Sequence, residues 1–237
     1  MDNIRIHRIE AYLKTAKTSS LKELMAKFGV SSATIHRDAA ELSRRGAAHR
    51  VSGGLVYIER DDGKTGSASY EDRIVSNRSL KIQAAEKAVK IVEDGDILFL
   101  DSSTTVYEIA LLLCRRSFNH LTVVTNAVPI MHLFRKFPPH WSLIGLGGNY
   151  DPQLNSILGV TAITQLERCT VDKAFVSAFG LDGDTATTNH ERQAELLQKI
   201  LAASQKRYLV VDSTKFGRKG LYRIADRSAF DGIISDR

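Results

Sequence analysis

The strongest constraint in this chain is a rhythm. From about residue 82 to the end, short apolar runs alternate with longer segments whose apolar residues recur at helical spacing. Ile82, Ala85, Val89 and Val92 mark one face of a helix, and Gly95-Asp96 turns the chain into the run Ile97-Leu98-Phe99-Leu100. Residues 103–116 then read as helix, 121–125 as strand, and 127–137 as helix with Pro129 in its first turn, where an N–H would be unpaired anyway. Extended runs follow at 141–148, 172–180, 207–212 and 233–235, with helical segments at 161–168 and 191–204 between them. Alternation at this pace predicts an α/β domain over residues 71–237, with a mainly parallel sheet and helices on both faces.

Ligands of such sheets bind beyond the carboxyl ends of the strands, so the residues directly after each apolar run carry the chemistry. They are Asp101-Ser102-Ser103-Thr104-Thr105, Thr125-Asn126, Gly145 with Gly147-Gly148, Gly180 with Asp182, and Asp212 through Lys215. Ser102, Ser103, Thr104 and Thr105 open a helix, and their hydroxyls with the free N–H groups of a positive dipole end suit a phosphate. Gly147 and Gly148 permit close backbone approach, Lys215 supplies a cation, and Asp101, Asn126 and Asp182 suit sugar hydroxyls. Taken singly, these features are a helix cap, a turn and a surface lysine. Taken together, they favour a site for a phosphorylated polyol.

The first 58 residues have a different character. They hold ten Lys/Arg against five Asp/Glu, so they carry +5 of the chain's net +6, while residues 59–237 are close to neutral. Ile6, Ile9, Leu13 and Ala16 predict a helix over 3–16; Leu21, Leu24, Met25 and Phe28 predict a second, capped by Ser or Thr at 18–20 and ended by Gly29. A third runs from about residue 32 to Arg45, with Ile35, Ala39 and Leu42 inward and Gly46 as its stop. A tight glycine turn between two short helices predicts a helix-turn-helix, whose second helix enters the major groove. Ser32, Thr34, His36 and Arg37 then face outward near its start. Ser31 and Ser32 suit phosphate oxygens, Arg37 a guanine edge or a phosphate, and His36 either. Asp38 is suited to holding an arginine in place. The stretch around Ser52-Gly53-Gly54 reads as a two-stranded wing, with Arg50 as a backbone contact. A basic head beside a neutral body predicts double-stranded DNA as one partner.

Composition closes off other classes. With 237 residues and 43% hydrophobic content, the chain is long enough for a small domain beside a medium one. No apolar run approaches the roughly 18 residues of a membrane span, and residues 1–14 lack the pattern of a signal peptide, so a cytoplasmic protein is expected. Cys114 and Cys169 are too few for a disulfide framework, and seven histidines without ligand spacing predict neither metal nor cofactor. Residues 59–70 are polar and Gly/Ser-containing, the composition of a linker.

In the head, Val30-Ser31, Thr34-Ile35, Arg37-Asp38 and Gly53-Gly54 match the signature of the winged helix-turn-helix in the DeoR family of bacterial transcriptional regulators. Residues 81–105, 121–130, 146–148, 171–182 and 210–217 are similar to that family's C-terminal sensor domain, whose fold is similar to ribose-5-phosphate isomerase. The chain departs from the pattern at His36, where arginine is usual, at Ala39 for leucine, at Ser103 for glycine and at Thr214 for serine. The resemblance implies a DNA-binding domain over 1–58, an effector-sensing domain over 71–237, and a repressor of a carbohydrate-metabolism operon. It further implies release from DNA, or retuning on it, by a phosphorylated sugar or sugar-derived metabolite, and action as a homo-oligomer, a dimer or tetramer. Ser102 to Thr105 then take the phosphate, Asp101 and Asn126 line the pocket, and Lys215 is the lysine of the Ser-Lys-Phe motif. The isomerase likeness raises the alternative of an enzyme, with a carboxylate base among Asp101, Asp182, Glu191 and Glu195. An isomerase has no need of a basic DNA-binding head, so no catalytic residue is expected.

Overall fold

The computed structural model describes residues 2–44, 47–58 and 69–237. The chain divides into two compact units, Met1–Ser79 and Leu80–Arg237. Gly46 and most of the 59–70 linker lie outside the described residues.

The first unit opens with α1 (Asp2–Ala16), followed by the short strand β1 (Thr18–Ser20) and α2 (Leu21–Phe28). Ser20 caps α2 in a reciprocal box: its hydroxyl accepts from the Glu23 N–H (3.1 Å), and the Glu23 carboxylate accepts from the Ser20 N–H (2.9 Å). Gly29 stops the helix in the left-handed region (φ 61°), where a side chain would be strained. α3 (Ser32–Arg44) follows, then β2 (Ala48–Val51) and β3 (Gly54–Tyr57). Ile6, Ile9, Leu13, Leu24, Ile35, Ala39, Leu42 and Leu55 close into one core. The wing differs from the two strands expected. β1 pairs antiparallel with β3, giving a three-stranded sheet in the order β1-β3-β2. Gly54 is what admits β1: a Cβ there would stand 2.7 Å from the Ser19 carbonyl oxygen. The unit continues through α4 (Tyr70–Val75), capped by Ser69 and Asp72. Asn77, at φ 53°, then separates it from α5 (Arg78–Val89), the helix expected from Ile82, Ala85 and Val89; α4 is an additional helix before it.

In the second unit the elements alternate: β4 (Ile97–Leu100), α6 (Thr104–Leu113), β5 (Thr122–Thr125), α7 (Val128–Leu133) and β6 (Ser142–Gly145). A hairpin of β7 (Asn149–Asp151) and β8 (Ser156–Leu158) leads to α8 (Val160–Leu166) and β9 (Val171–Val176). Then come β10 (Gly180–Asp182), β11 (Thr185–Thr188), α9 (Glu191–Ala203), β12 (Ser204–Val210), β13 (Tyr222–Asp226) and β14 (Gly232–Ile234). Six strands form one sheet in the order β14-β12-β9-β4-β5-β6, parallel throughout.

The middle of the sheet is buried on both faces, which is why β4 and the centre of β5 are apolar runs rather than alternating ones, whereas the edge strand β6 is largely exposed. Leu98, Leu100, Val123, Phe175 and Val210 pack under α5, α6 and α7. Phe99, Val124, Ala174, Val176, Leu209 and Val211 pack on the opposite side under α8 and α9. All the parallel strands point one way, so their carboxyl ends share a single rim.

One extended run was misread. Residues 172–180 are not one strand: β9 ends at Val176, and β10 joins β11 and β13 in a separate antiparallel sheet. The break is fixed by tertiary partners, since the Ser177 N–H turns to the Asp101 carboxylate (2.7 Å) and the Phe179 N–H bonds the Thr187 carbonyl (2.8 Å). No described helix is long and apolar enough to cross a membrane.

Candidate functional site

In the head, α3 is held rather than merely packed. Asp38 is buried in it, and its two oxygens accept from Arg5 of α1 at 2.7 and 3.0 Å. This fork-to-fork pair fixes both the position and the rotation of the helix. The arginine that Asp38 was expected to hold is therefore Arg5, 33 positions away. Ser31 precedes the helix as its cap, with its hydroxyl 3.0 Å from that of Thr34 and accepting from the Thr34 N–H (3.3 Å). The exposed residues of α3 and its cap are Ser31, Ser32, Ala33, His36, Arg37, Ala40 and, at the end of the helix, Arg44; Thr34 is half-buried. Arg50, on β2, is also exposed and donates from Nη2 to Nδ1 of His36. Thus the structure brings the residues expected to meet DNA onto α3 and the strand beside it.

In the second unit, β4 delivers Asp101, Ser102 and Ser103 to the rim. Asp101 and Ser102 are buried, as are Thr104 and Thr105. Ser103 caps α6, its hydroxyl accepting from the Val106 N–H at 3.1 Å. Asp101 has a task that composition did not suggest. Oδ1 accepts from the Ser103 N–H (2.8 Å) and Oδ2 from the Ser177 N–H (2.7 Å). The carboxylate ties the helix-opening loop to the end of the neighbouring strand β9, so it shapes the rim as a clamp.

From β5, Thr125 hydrogen-bonds the Leu100 carbonyl (2.6 Å) and receives the Ala127 N–H (3.0 Å). Next to it, the Asn126 Nδ2 donates to the Ile157 carbonyl (3.2 Å), tying the rim to the β7–β8 hairpin. From β12, Asp212 accepts through Oδ1 from the backbone and the hydroxyl of Thr214, shaping the single turn Ser213–Lys215. Asn126 Oδ1 and Asp212 Oδ2 are buried, and among the described residues neither has a hydrogen-bond partner. Buried acceptors without partners are uncommon, and two of them stand on this rim. From β14, Asp236 accepts from the Ser213 N–H (2.5 Å); burial pushes its pKa up, but the Ser213 hydrogen bonds outweigh that and hold it below the ordinary value.

Three expectations change. Asp182 does not follow a strand of the parallel sheet: it is exposed on β10, opposite Thr185 and beside the Gly183 turn. The residue directly after β9 is Ser177. Gly148 is required by the chain's own packing, since a Cβ there would lie 2.7 Å from the Leu158 carbonyl oxygen, and its φ is 145°. Gly147 donates its N–H to the Gln165 side chain (2.7 Å). Lys215 remains on the rim, half-buried, 5.7 Å from the Phe179 ring centroid; Arg218, which sequence reasoning passed over, lies 4.2 Å from the same ring. Its signal was the local run Lys215-Phe216-Gly217-Arg218, read only as far as the lysine. Among the described residues no group of acidic, histidine and cysteine side chains is arranged to hold a metal ion.

Residues 5–61 match the DeoR-like helix-turn-helix domain, and residues 76–237 match the DeoR C terminal sensor domain. The chain belongs to the DeoR family. It is 31% identical to the HTH-type transcriptional regulator IolR of Bacillus subtilis, over 100% of this chain and 92% of that one. It is 29% identical to the lactose phosphotransferase system repressor of Lactococcus lactis subsp. lactis, over 98% of this chain and 90% of the other. Among solved structures, ribose 5-phosphate isomerase A of Methanocaldococcus jannaschii matches 61% of this chain and 56% of its own, at 18% identity and a TM-score of 0.45. This DeoR-family chain is thus a DNA-binding transcriptional regulator with a sensor domain.

Proposed function

We propose that this regulator is a repressor of a carbohydrate-metabolism operon and leaves its operator when the sensor domain takes up a phosphorylated sugar or sugar-derived metabolite. The head, within residues 1–58, binds double-stranded DNA through Ser31, Ser32, Thr34, His36, Arg37 and Arg50. The sensor, within residues 71–237, holds the effector at its carboxyl rim with Ser102, Ser103, Thr104, Thr105, Asn126, Gly147, Gly148 and Lys215. Asp101 acts as the clamp of that rim, and Asp182 is left out of it. One small reading helix gives limited affinity, so a homo-oligomer, dimer or tetramer, presents two heads to two half-sites.

The observation that carries the reading is the rim itself: a ten-residue helix opening in buried hydroxyls, flanked by the unpartnered oxygens of Asn126 and Asp212 and by Lys215. A helix N-terminus favours an anion, and buried acceptors without partners await donors such as sugar hydroxyls. The name of one relative, a lactose phosphotransferase system repressor, supports a sugar theme.

The test is a thermal screen of the full chain against aldose and ketose phosphates and the matching free sugars. A true ligand at 100 times its Kd adds about 2.7 kcal/mol of stability and should also release operator DNA. Stabilisation by none of the phosphates, with DNA binding intact, would overturn the phosphorylated-sugar reading.

A further inference from the structure

We infer that His36 is a base-reading residue of fixed polarity: a single hydrogen-bond donor, Nε2–H, aimed at an acceptor on a guanine edge, with Arg50 of the wing as the residue that fixes it. The inference rests on α3 being the helix that enters the major groove.

It starts from one contact. Arg50 Nη2 hydrogen-bonds His36 Nδ1. A guanidinium has donors only, so Nδ1 must be the acceptor, and the single ring proton of the neutral imidazole sits on Nε2. An unaided histidine exchanges the two tautomers and offers either nitrogen as donor or acceptor. Here the wing selects one, and the ring nitrogen opposite the wing can only donate. A lone donor is received best by guanine, which shows two neighbouring acceptors in the major groove, O6 and N7; adenine N7 and thymine O4 offer one each, and the cytosine N4 amino group is a donor and opposes another donor.

The surface around His36 fits a reading role. On the exposed face of the first half of α3 and its cap, the long side chains are His36 and Arg37, and their companions Ser31, Ser32, Ala33 and Ala40 are small; Arg44, exposed at the far end of the helix, is paired with Glu41. Small neighbours let the helix approach base edges closely. The Arg5–Asp38 pair sets the rotation of α3 from the buried side, so the direction in which His36 leaves the helix is defined. The remaining N–H groups of Arg50 stay available for a phosphate, so one wing residue can contact the backbone and orient a base reader together. His36 stands at a position where the family signature has arginine, whose fork offers two donors to guanine. This chain's operator should therefore be read there by one hydrogen bond, with correspondingly weaker discrimination.

Binding sites would be selected from a pool of randomised duplexes by the full-length protein and by H36A, R37A, R50A and R50K variants. All four changes are at exposed positions, and retained melting temperatures would confirm folding. Wild type is expected to favour guanine at one position per half-site, by about tenfold over cytosine for a single such contact. H36A and R50A should both lose the preference at that same position, R37A should keep it, and R50K, which still donates to Nδ1, should restore it. H36A selecting the wild-type sequence at every position, while R37A loses one, would overturn the role of His36 and leave α3 as the reading helix. An unchanged preference in R50A would overturn the role of the wing. Wild-type sites recovered by both H36A and R37A would overturn the α3 reading itself.

Discussion

Asp101→Asn separates two accounts of a fully buried acid on the sensor rim. If Asp101 is chiefly a ligand group, its amide should leave the free protein's stability alone and alter only the response to effector. The structure says otherwise. Each carboxylate oxygen takes one backbone N–H, from Ser103 at 2.8 Å and from Ser177 at 2.7 Å, and the side chain is 1% exposed. Hydrogen bonds to a charged group contribute about 1.5–3 kcal/mol each. The amide keeps one acceptor oxygen but turns an NH2 toward the second N–H, leaving a buried donor facing a donor. Losing one charge-assisted bond and weakening the other should cost about 2–4 kcal/mol. For a unit of this size that is a fall in Tm of roughly 4–16 °C. The assay is urea unfolding of the full chain followed at the sensor domain, beside operator binding by the intact head. A loss below about 0.5 kcal/mol, the scatter of ordinary surface changes, would refute the clamp and return Asp101 to the ligand.

Three further outcomes follow from geometry. Lys173 is buried in β9, with Asp96 at 2.8 Å and Glu93 at 2.6 Å; burial lowers its pKa, yet these hydrogen bonds prevail and raise it. Lys173→Met should cost about 3–5 kcal/mol in urea unfolding by stranding Asp96, whereas Lys199→Ala, which breaks a half-exposed pair at 3.5 Å, should cost well under about 1 kcal/mol; equal losses would contradict the burial argument. Gly148→Ala should destabilise the sensor by about 1–3 kcal/mol, because the new methyl meets the Leu158 carbonyl at 2.7 Å, and unaltered melting would show that the β7–β8 hairpin yields. In the head, hydrogen bonds from Ser20 and Ser19 hold the Glu23 pKa below its ordinary 4.5; a depressed carboxylate stabilises above the unfolded pKa and loses that contribution as pH falls through the folded one, so Glu23→Gln should flatten the head's acid unfolding below pH 4.5, and an unchanged acid limb would remove the cap from the account.

How much of this could be read from the amino acids depends on the range of the interactions. Apolar period and length placed α1, α2, α3 and the parallel strands, because a strand buried on both faces must be an apolar run and a capped helix must show its cap nearby. The polar strand β1 was invisible: Thr18-Ser19-Ser20 has no strand pattern of its own and is extended because Leu55 and Val56 lie opposite. The β10-β11-β13 sheet was missed because its strands are short and, although β10 and β11 form a local hairpin, β13 joins β11 from about 40 residues along the chain. At the site, types of residue were legible but not their assignments. Asp101 reaches Ser177 across 76 positions, Arg5 reaches Asp38 across 33, and Arg50 reaches His36 across 14. No local pattern announces any of these pairs.

The all-parallel sheet has a consequence in time as well as in space. Each of its strand pairs needs a crossover, and its last strand, β14, is made from residues 232–234 and closes onto β12. Non-local pairing of this kind is slow. The head is the opposite case: its three helices and its wing are complete within residues 2–58, so every contact that ties them is available once that stretch has been made. As chains fold from the N-terminus during synthesis, the head should be structured while the sensor is still being translated. During that interval a nascent molecule would present a folded reading helix while the sheet of its second unit is still incomplete.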